Sequence, residues 1–225
     1  MLVLIPSLWL LTHSPLNYQQ RIIVIAMSST ADDDDLTVST TAGYKVGEKK
    51  TLEELQKLDE QDESLKKWKE SLGIKAGASE DADTAKDPRK VIVFSLTLEV
   101  KDRTDVVVDI STPEKLAALK EKPLTIKEGC EYRLKIKFKV QHEVISGLKY
   151  LHSVKRMGVR VDKAEEMLGS YGPAPEPYEK KFLWEEAPAG MMARAHYSVK
   201  SKFVDDDNFT HMEWDWSFDI KKDWD

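Results

Sequence analysis

Residues 211–225 alternate between apolar and polar side chains more regularly than any other segment of this chain. One parity carries an unusually bulky set of side chains: Met212, Trp214, Trp216, Phe218 and Ile220. A period of two predicts a β-strand with one buried face and one solvated face. Side chains of this size either fill the core of a β-sandwich or line the wall of an apolar cavity. The pattern alone leaves both interpretations open.

The same period of two recurs from residue 90 onward. A first strand carries Ile92, Phe94, Leu96, Leu98 and Val100 on one face, and further strands are predicted over residues 106–110, 132–140, 148–154, 159–162, 178–183, 192–204 and 210–220. A helical turn is predicted after Thr112, because proline suits the first helical position. Residues 169–177 read as a turn-rich loop. Many short strands separated by turn signals predict an all-β sandwich.

The first 26 residues differ from the rest of the chain. Two apolar runs, 1–11 and 21–27, flank a polar stretch, and no basic residue precedes Arg21. We interpret residues 1–26 as a gene-model extension ahead of Met27, with a cleaved signal peptide as the alternative. Neither run reaches the roughly 18–20 apolar residues that a membrane span needs. Stable membrane insertion is therefore not expected.

The segment between Met27 and the sandwich divides into three parts. Residues 27–50 are acidic and then polar, and we expect them to be disordered. Residues 51–73 predict two short amphipathic helices, the first opened by a capping box at Thr51 and the second capped by Asp59 or Asp62. Residues 74–88 read as a linker, and residues 89–225 form the sandwich. Helices this short are marginal alone, so this arm needs a partner surface.

Composition and motifs exclude several classes of function. A formal net charge of −6 argues against general nucleic-acid binding. The single cysteine, Cys130, rules out an internal disulfide and is typical of a reducing compartment, so we expect a cytoplasmic protein and a structural thiol. No catalytic or phosphate-binding motif occurs, and the histidines lack metal-ligand spacing. We therefore expect no enzyme, metal site or cofactor.

Two charged clusters allow alternative interpretations. Aspartates 205–207 lack the spaced ligands and glycine of a calcium loop, so we interpret them as a solvated hairpin loop rather than a metal site. Lysines 135, 137 and 139 share the polar face of one predicted strand. We interpret that face as solvent-facing, with an anionic docking patch as the alternative.

Several segments together resemble the Rho GDP-dissociation inhibitor family. They occur in family order and are LDEQDESLKKWKESLG (58–73), LTIKEGCEYRLKIKFKV (124–140), VISGLKY (144–150), GSYGP (169–173), EEAPAGMMAR (185–194), SVKSKFVDDD (198–207) and WDWSFDIKKDW (214–224). The resemblance covers nearly all of residues 44–225. It implies an immunoglobulin-like β-sandwich with a flexible, partly helical N-terminal regulatory arm.

The resemblance also implies a function without covalent chemistry. Family members bind prenylated Rho- or Rac-type GTPases, mainly in the GDP-bound form, as a 1:1 heterodimer. The arm contacts the switch regions and slows GDP release. The sandwich takes up the geranylgeranyl group and so extracts the GTPase from membranes.

Site residues follow from the resemblance position by position. The expected lining of the prenyl pocket is Leu98, Leu124, Val144, Met192, Val199 and Trp216. Leu124 stands where many members have an aromatic residue. Val199 and Met192 have opposite strand parity, so a β-bulge between them would be needed if both line the pocket.

Contacts to the GTPase switch regions are expected from Tyr44, Asp62, Ser64, Trp68 and Asp207. Trp68 replaces a residue that is often tyrosine and so lacks its hydroxyl. Asp62 could also simply cap the second helix. Residues 32–35, all aspartate, could attract the basic tail of a Rho protein or could serve as a solubilising tail.

Two other functions remain open from the sequence. One is a sandwich-fold carrier for other lipidated proteins, which would not need the helical arm. The other is a secreted lipid-binding or adhesion domain, which would follow if residues 1–26 were a signal peptide.

Overall fold

The computed structural model describes residues 36–39, 54, 62–65, 67, 86–101 and 103–224. The strands are β1 (Val91–Val100), β2 (Val106–Asp109), β3 (Leu124–Lys127), β4 (Glu131–Val140), β5 (Ile145–Arg156), β6 (Val159–Tyr171), β7 (Tyr178–Lys181), β8 (Glu185–Glu186), β9 (His196–Val204) and β10 (Thr210–Lys221). A helix, α1 (Pro113–Glu121), connects β2 to β3. No helix in these residues is long and apolar enough to cross a membrane.

The strands form two sheets packed face to face, which confirms the predicted sandwich. The first sheet has the order β2-β1-β4-β7, with β8 also pairing with β4, and the second has the order β3-β10-β9-β5-β6. The pairing is antiparallel except between β3 and β10, which run parallel. β4 shows the alternation that drives this arrangement, because Ile136, Phe138 and Val140 are fully buried while the lysines between them face outward.

A β-bulge changes the face that β1 presents to the core. The pairing of β1 with β4 shifts register between Val93 and Ser95. Val91 and Val93 therefore join the main core before the bulge, and Leu96 joins it after the bulge. The prediction that Ile92 and Phe94 share a face with Leu96 was wrong, because an inserted residue exchanges the two faces of a strand.

The boundaries of two other strands differ from the predictions. β9 begins at His196, not at residue 192, because residues 191–193 form a turn. No bulge is thus needed between Met192 and Val199. β6 extends to Tyr171 and includes three residues of the predicted loop 169–177. The second half of β6 is too rich in charged residues to show a hydrophobic pattern, but backbone pairing with β5 along most of its length stabilises the strand.

Helix α1 follows the prediction from Thr112 and Pro113. Thr112 is its N-cap, and Pro113 lies in its first turn. Leu119 is buried in the main core and Leu116 packs against that core. The helix therefore covers the edge of the sandwich where β2 and β3 lie.

The interior of the sandwich is divided into two apolar clusters. The main cluster includes Tyr150, Val199 and Trp216. The smaller one consists of Leu98, Val100, Ile126 and Ala187. Leu134 and Phe218 pack against both clusters, so they lie at the boundary between them.

Candidate functional site

A cavity of about 120 Å³ lies between the two sheets at the boundary of the two apolar clusters. Strands of both sheets contribute its walls. Its apolar and aromatic lining consists of Ile126, Tyr132, Leu134, Tyr150, Val154, Ala164, Phe182, Leu183, Val199, Trp216 and Phe218. Leu183 is 81% exposed, so the cavity reaches the surface beside it. The core is therefore not solidly packed at this position.

Ser201 satisfies the polar atoms of two aromatic side chains that line the cavity. The Trp216 Nε1–H donates to Ser201 Oγ at 2.9 Å, and Tyr150 Oη lies 2.9 Å from the same oxygen. Burial raises the pKa of the Tyr150 hydroxyl, so this group stays neutral. Because their polar atoms are paired with Ser201, Trp216 and Tyr150 can present apolar surfaces to the cavity.

Ionisable groups also line the cavity. Asp162, Glu166, Glu185, His152 and Arg133 contribute to its walls. His152 Nε2 lies 3.7 Å from Asp162 Oδ2, and His152 Nδ1 is buried with no hydrogen-bond partner among the described residues. With three carboxylates against one arginine and one histidine, the polar part of the lining favours a basic group.

The structure brings part of the expected prenyl pocket together. Val199 and Trp216 line the cavity. Leu98 belongs to the smaller cluster, in which Ile126 also lines the cavity. Two of the expected lining residues thus converge on the cavity from β9 and β10, and Leu98 of β1 lies in the adjoining cluster.

The other three expected residues lie elsewhere. Leu124 lines a separate cleft of about 560 Å³ between β2, α1 and β3. Val144 is half-buried just before β5. Met192 is 81% exposed in the turn before β9, where its carbonyl accepts a hydrogen bond from Arg156.

Several residues that line the cavity have no feature in the sequence that marks them as site residues. Leu134 and Phe218 were visible as members of apolar strand faces, but nothing in their pattern distinguishes a cavity wall from a filled core. Asp162 and Glu166 face inward from β6, which lies beyond β5 at the edge of the second sheet. Because these residues are charged, the alternation of apolar side chains in the sequence does not show that they face the interior.

Asp62 caps a helical turn in the arm. Its Oδ1 accepts hydrogen bonds from the backbone N–H groups of Ser64 at 2.8 Å and Leu65 at 3.2 Å, as an N-cap does. Residues 63–65 are helical, and the Ser64 side chain is exposed. The arm thus presents a hydroxyl and a carboxylate at the start of a helix. Tyr44, Trp68 and the aspartates 32–35 lie outside the described residues.

Asp207 lies in a tight turn between β9 and β10. Asp205 organises this turn, since its Oδ1 accepts from the N–H groups of Asp207 and Phe209, both at 2.9 Å. Its Oδ2 lies 2.9 Å from Nε2 of buried His211. Burial raises the pKa of the Asp205 carboxyl, but these hydrogen bonds outweigh burial and hold it below its ordinary value.

Gly147 of β5 fixes the same turn from the adjacent strand. Its φ is +58°, and an added Cβ would lie 2.0 Å from the Asp206 carboxylate. The Asp206 N–H also donates to the Ser146 carbonyl at 3.1 Å. The turn that carries Asp207 is therefore held on both sides.

The lysine face of β4 is partly neutralised by one carboxylate. Glu99 accepts from Arg133 at 2.6 Å and Lys135 at 2.9 Å, and Lys181 lies 3.3 Å from it. Hydrogen bonding by Lys135 holds the pKa of Glu99 at about 2 despite burial, with help from Arg133 and Lys181. This face is a network of ion pairs on the outer surface of the first sheet.

Within the described part of the chain no three His, Cys, Asp or Glu side chains are grouped to hold a metal ion. Cys130 is half-buried in the turn before β4. Burial raises the pKa of its thiol, which disfavours the reactive thiolate.

Comparison with known proteins gives consistent matches over most of the chain. A family model described as RHO protein GDP dissociation inhibitor matches residues 28–223. The Rho GDP-dissociation inhibitor of Schizosaccharomyces pombe is 46% identical over 191 residues, covering 85% of this chain and 92% of that protein. Rho GDP-dissociation inhibitor 1 of Homo sapiens is 42% identical over 184 residues, covering 82% and 88%. Among solved structures, a Niemann-Pick type C2 protein from the Japanese carpenter ant matches with a TM-score of 0.36 and 9% identity, over 58% of this chain and 93% of that chain.

Proposed function

This chain belongs to the Rho GDP-dissociation inhibitor family, and we propose that it binds GDP-bound, prenylated Rho-type GTPases and shelters their geranylgeranyl group between its two sheets. The observation that carries the proposal is the cavity between the sheets, lined mainly by apolar and aromatic side chains. Its walls come from both sheets, as uptake of a lipid into a sandwich requires. No covalent step is involved, because the function is binding alone.

The free-energy cost of exposing an isoprenoid to water determines how much apolar burial the cavity must provide. Each buried CH₂-sized group is worth about 0.8 kcal/mol, so a chain of roughly twenty carbons costs on the order of 10 kcal/mol or more when exposed to water. Extraction from a membrane needs comparable apolar burial in the protein. A wall containing Trp216, Tyr150 and Phe218 provides large apolar area per residue.

A cavity of this volume would have to widen for the lipid to enter. A volume of about 120 Å³ corresponds to roughly four waters at about 30 Å³ each and is smaller than a cavity of about 150 Å³ that holds one benzene molecule. It therefore accommodates well under half of an isoprenoid of roughly twenty carbons. Phe182 and exposed Leu183 lie in the lining just after β7. The Phe182 N–H still donates to the Leu134 carbonyl of β4 at 2.9 Å, whereas the short segment that follows, residues 183–184, belongs to no strand. Movement of this segment would admit the remaining carbons.

Polar groups of the lining would receive the protein segment next to the lipid. Asp162, Glu166 and Glu185 give the lining an acidic character. A basic segment preceding a prenylated cysteine would be attracted to these carboxylates. The aspartates at 32–35 would add to this attraction if the arm lies near the mouth of the cavity.

The arm supplies the second half of the proposed interaction. Asp62 and Ser64, together with Tyr44, Trp68 and Asp207, would contact the switch regions and slow GDP release. Since arm and cavity belong to one chain, binding at one raises the effective concentration of the other. The two contacts therefore reinforce each other without needing high affinity individually.

Filling the cavity tests this proposal. Val199→Phe places a larger side chain in the lining and leaves less room for lipid, and we expect extraction of a geranylgeranylated, GDP-bound Rho GTPase from vesicles to fall by about tenfold or more. Val159→Phe makes the same substitution on β6 at a half-exposed position outside the lining and should extract normally. Vesicle sedimentation measures extraction, and circular dichroism checks folding. Normal extraction by a folded Val199→Phe variant would refute the cavity as the lipid site.

A further inference from the structure

A short N-terminal segment, residues 36–39, lies on the outer face of the second sheet. Leu36 is 1% exposed and packs with Leu151 and Val204, each 0% exposed. These two side chains alternate with Tyr150 and Phe203, which belong to the main core, so they point away from it. Within the predicted disordered segment 27–50, the structure thus describes residues 36–39, whose Leu36 and Val38 cover an apolar patch.

Polar contacts fix the same segment in one register. The Ser39 N–H donates to Glu165 Oε2 at 3.1 Å, and its hydroxyl donates to Glu165 Oε1 at 2.7 Å. Lys149 Nζ donates to the Ser39 carbonyl at 3.2 Å, and Lys163 Nζ donates to the Thr37 carbonyl at 3.3 Å. Burial raises the pKa of Glu165, but the bonds from Ser39 and Lys149 outweigh it and leave the pKa lowered. Apolar and polar contacts thus hold residues 36–39 in the same position on the second sheet.

The chain is attached to the sandwich again at residues 87–90, which follow the arm and the linker and lead into β1. Gln141 Nε2 donates to the carbonyls of Asp87 at 2.9 Å and Arg89 at 2.6 Å. Lys90 forms an ion pair with Glu143 at 2.7 Å and lies 5.4 Å from the ring centre of Phe209. Residues 87–90 therefore hold the start of β1 beside the end of the β9–β10 turn.

Both attachments flank the turn that carries Asp207. Leu36 packs on Val204, the residue before the turn, and Lys90 lies over Phe209, which follows it. Residues 40–85, which include the proposed switch-binding residues Asp62 and Ser64, lie between the two attachments in the sequence.

We propose that residues 36–39 are an internal docking segment, that Lys149, Leu151, Lys163, Glu165 and Val204 form its binding surface, and that the arm is thereby fastened to the sandwich at both ends. This inference rests on the proposed function, because it concerns how the arm is presented to a GTPase. A segment fastened at both ends explores fewer conformations than a free tail, so less entropy is lost when it binds. Docking therefore strengthens GTPase binding without adding a contact to the GTPase.

Detaching the segment in the full chain tests the proposal. Leu36→Asp places a charge against Leu151 and Val204, and Glu165→Ala removes the acceptor of both Ser39 hydrogen bonds from the opposite side of the contact. Thr37→Ala is the matched control, because the Thr37 side chain is exposed and its carbonyl, which Lys163 contacts, is retained. Methyl NMR of Leu151 and Val204 reports docking, and titration with a prenylated, GDP-bound Rho GTPase reports affinity.

We expect Leu36→Asp and Glu165→Ala to shift the methyl resonances of Leu151 and Val204 and to weaken GTPase binding by roughly threefold to tenfold. Thr37→Ala should change neither. Unchanged methyl resonances in Leu36→Asp would overturn the docking. Shifted resonances with unchanged affinity would overturn the fastening role. Failure of the wild-type chain to bind any Rho GTPase would instead overturn the proposed function, while the methyl resonances would still decide the docking.

Discussion

Glu99 shows how a single residue on the outer surface of a sheet can become structurally important. Its carboxylate lies on β1 within reach of Arg133 and Lys135 of β4 and Lys181 of β7. These cations hold its pKa at about 2, against an ordinary value of 4.5. A folded-state pKa below the unfolded value contributes stability above the unfolded pKa, and that contribution is lost as the pH falls through the folded pKa.

Glu99→Gln tests this contribution. We expect the variant to lose roughly 1.5–3 kcal/mol of folding free energy at neutral pH, the usual worth of hydrogen bonds to a charged group. The difference from wild type should shrink as the pH falls from about 4.5 towards 2, where Glu99 becomes protonated. Thermal unfolding of both proteins over this pH range measures the difference in stability. Exposed Glu186 on β8 gives a control, because the free energy of unfolding of Glu186→Gln should stay within about 0.5 kcal/mol of the wild-type value. A loss in Glu186→Gln equal to that in Glu99→Gln would argue against the ion-pair network.

Single residues of the candidate site were predictable to different degrees. Val199, Trp216 and Leu98 lie at or beside the cavity, and each sits on a strand whose alternation is visible in the sequence. Met192 and Leu124 do not line it, because a turn carries Met192 outward and Leu124 faces the cleft under α1. Ser201 could not be predicted from the sequence. Its role as hydrogen-bond partner of Trp216 and Tyr150 exists only once the fold brings these two side chains to it.

At the scale of elements, the arm helix depends on one side chain with two possible roles. Asp62 accepts the first free N–H groups of its helical turn, and it is also proposed to contact a GTPase. The two roles differ in what they require, because a cap needs only an acceptor oxygen while a contact to a cationic or donor group benefits from the negative charge.

Two substitutions at Asp62 separate these roles. Asp62→Ala removes the cap at a cost of about 1 kcal/mol to the helix and should weaken binding to a prenylated Rho GTPase. Asp62→Asn retains a capping oxygen but removes the charge. Weak binding by both variants supports direct contact, and wild-type binding by Asp62→Asn assigns the residue to capping alone. Titration calorimetry measures the affinity, with Glu63→Ala at the neighbouring exposed position as the control. Wild-type affinity in Asp62→Ala would remove the residue from the site.

For the whole molecule, the proposed function is divided between the arm and the sandwich. The sandwich has its own core, and all the described residues that line the cavity lie from 126 onward. The arm contributes Asp62 and Ser64 from outside this core. A chain lacking residues 1–73 should therefore fold and still accept an isoprenoid, yet lose the ability to slow GDP release.

Fluorescence binding of a prenylated peptide and a GDP-release assay check these two expectations on the truncated chain. Intact inhibition of GDP release after the truncation would assign both activities to the sandwich. That result would favour the alternative of a general carrier for lipidated proteins, since such a carrier needs no arm. A modest loss of stability is also expected, because Leu151 and Val204 lose the cover that Leu36 gives them.

What the sequence determined by itself is the class of fold, the bulky apolar face of β10 and a helix start at Asp59 or Asp62, because each depends on a local period or a local spacing. The hydrogen bonds of the structure identify Asp62 as the cap. Tertiary structure decided whether that face fills a core or lines a cavity. It also decided where β1 exchanges its faces, how far β6 extends and where residues 36–39 dock. These features depend on pairing and packing between residues distant in the chain, and the free energies of such contacts leave no periodic signal in the segments that make them.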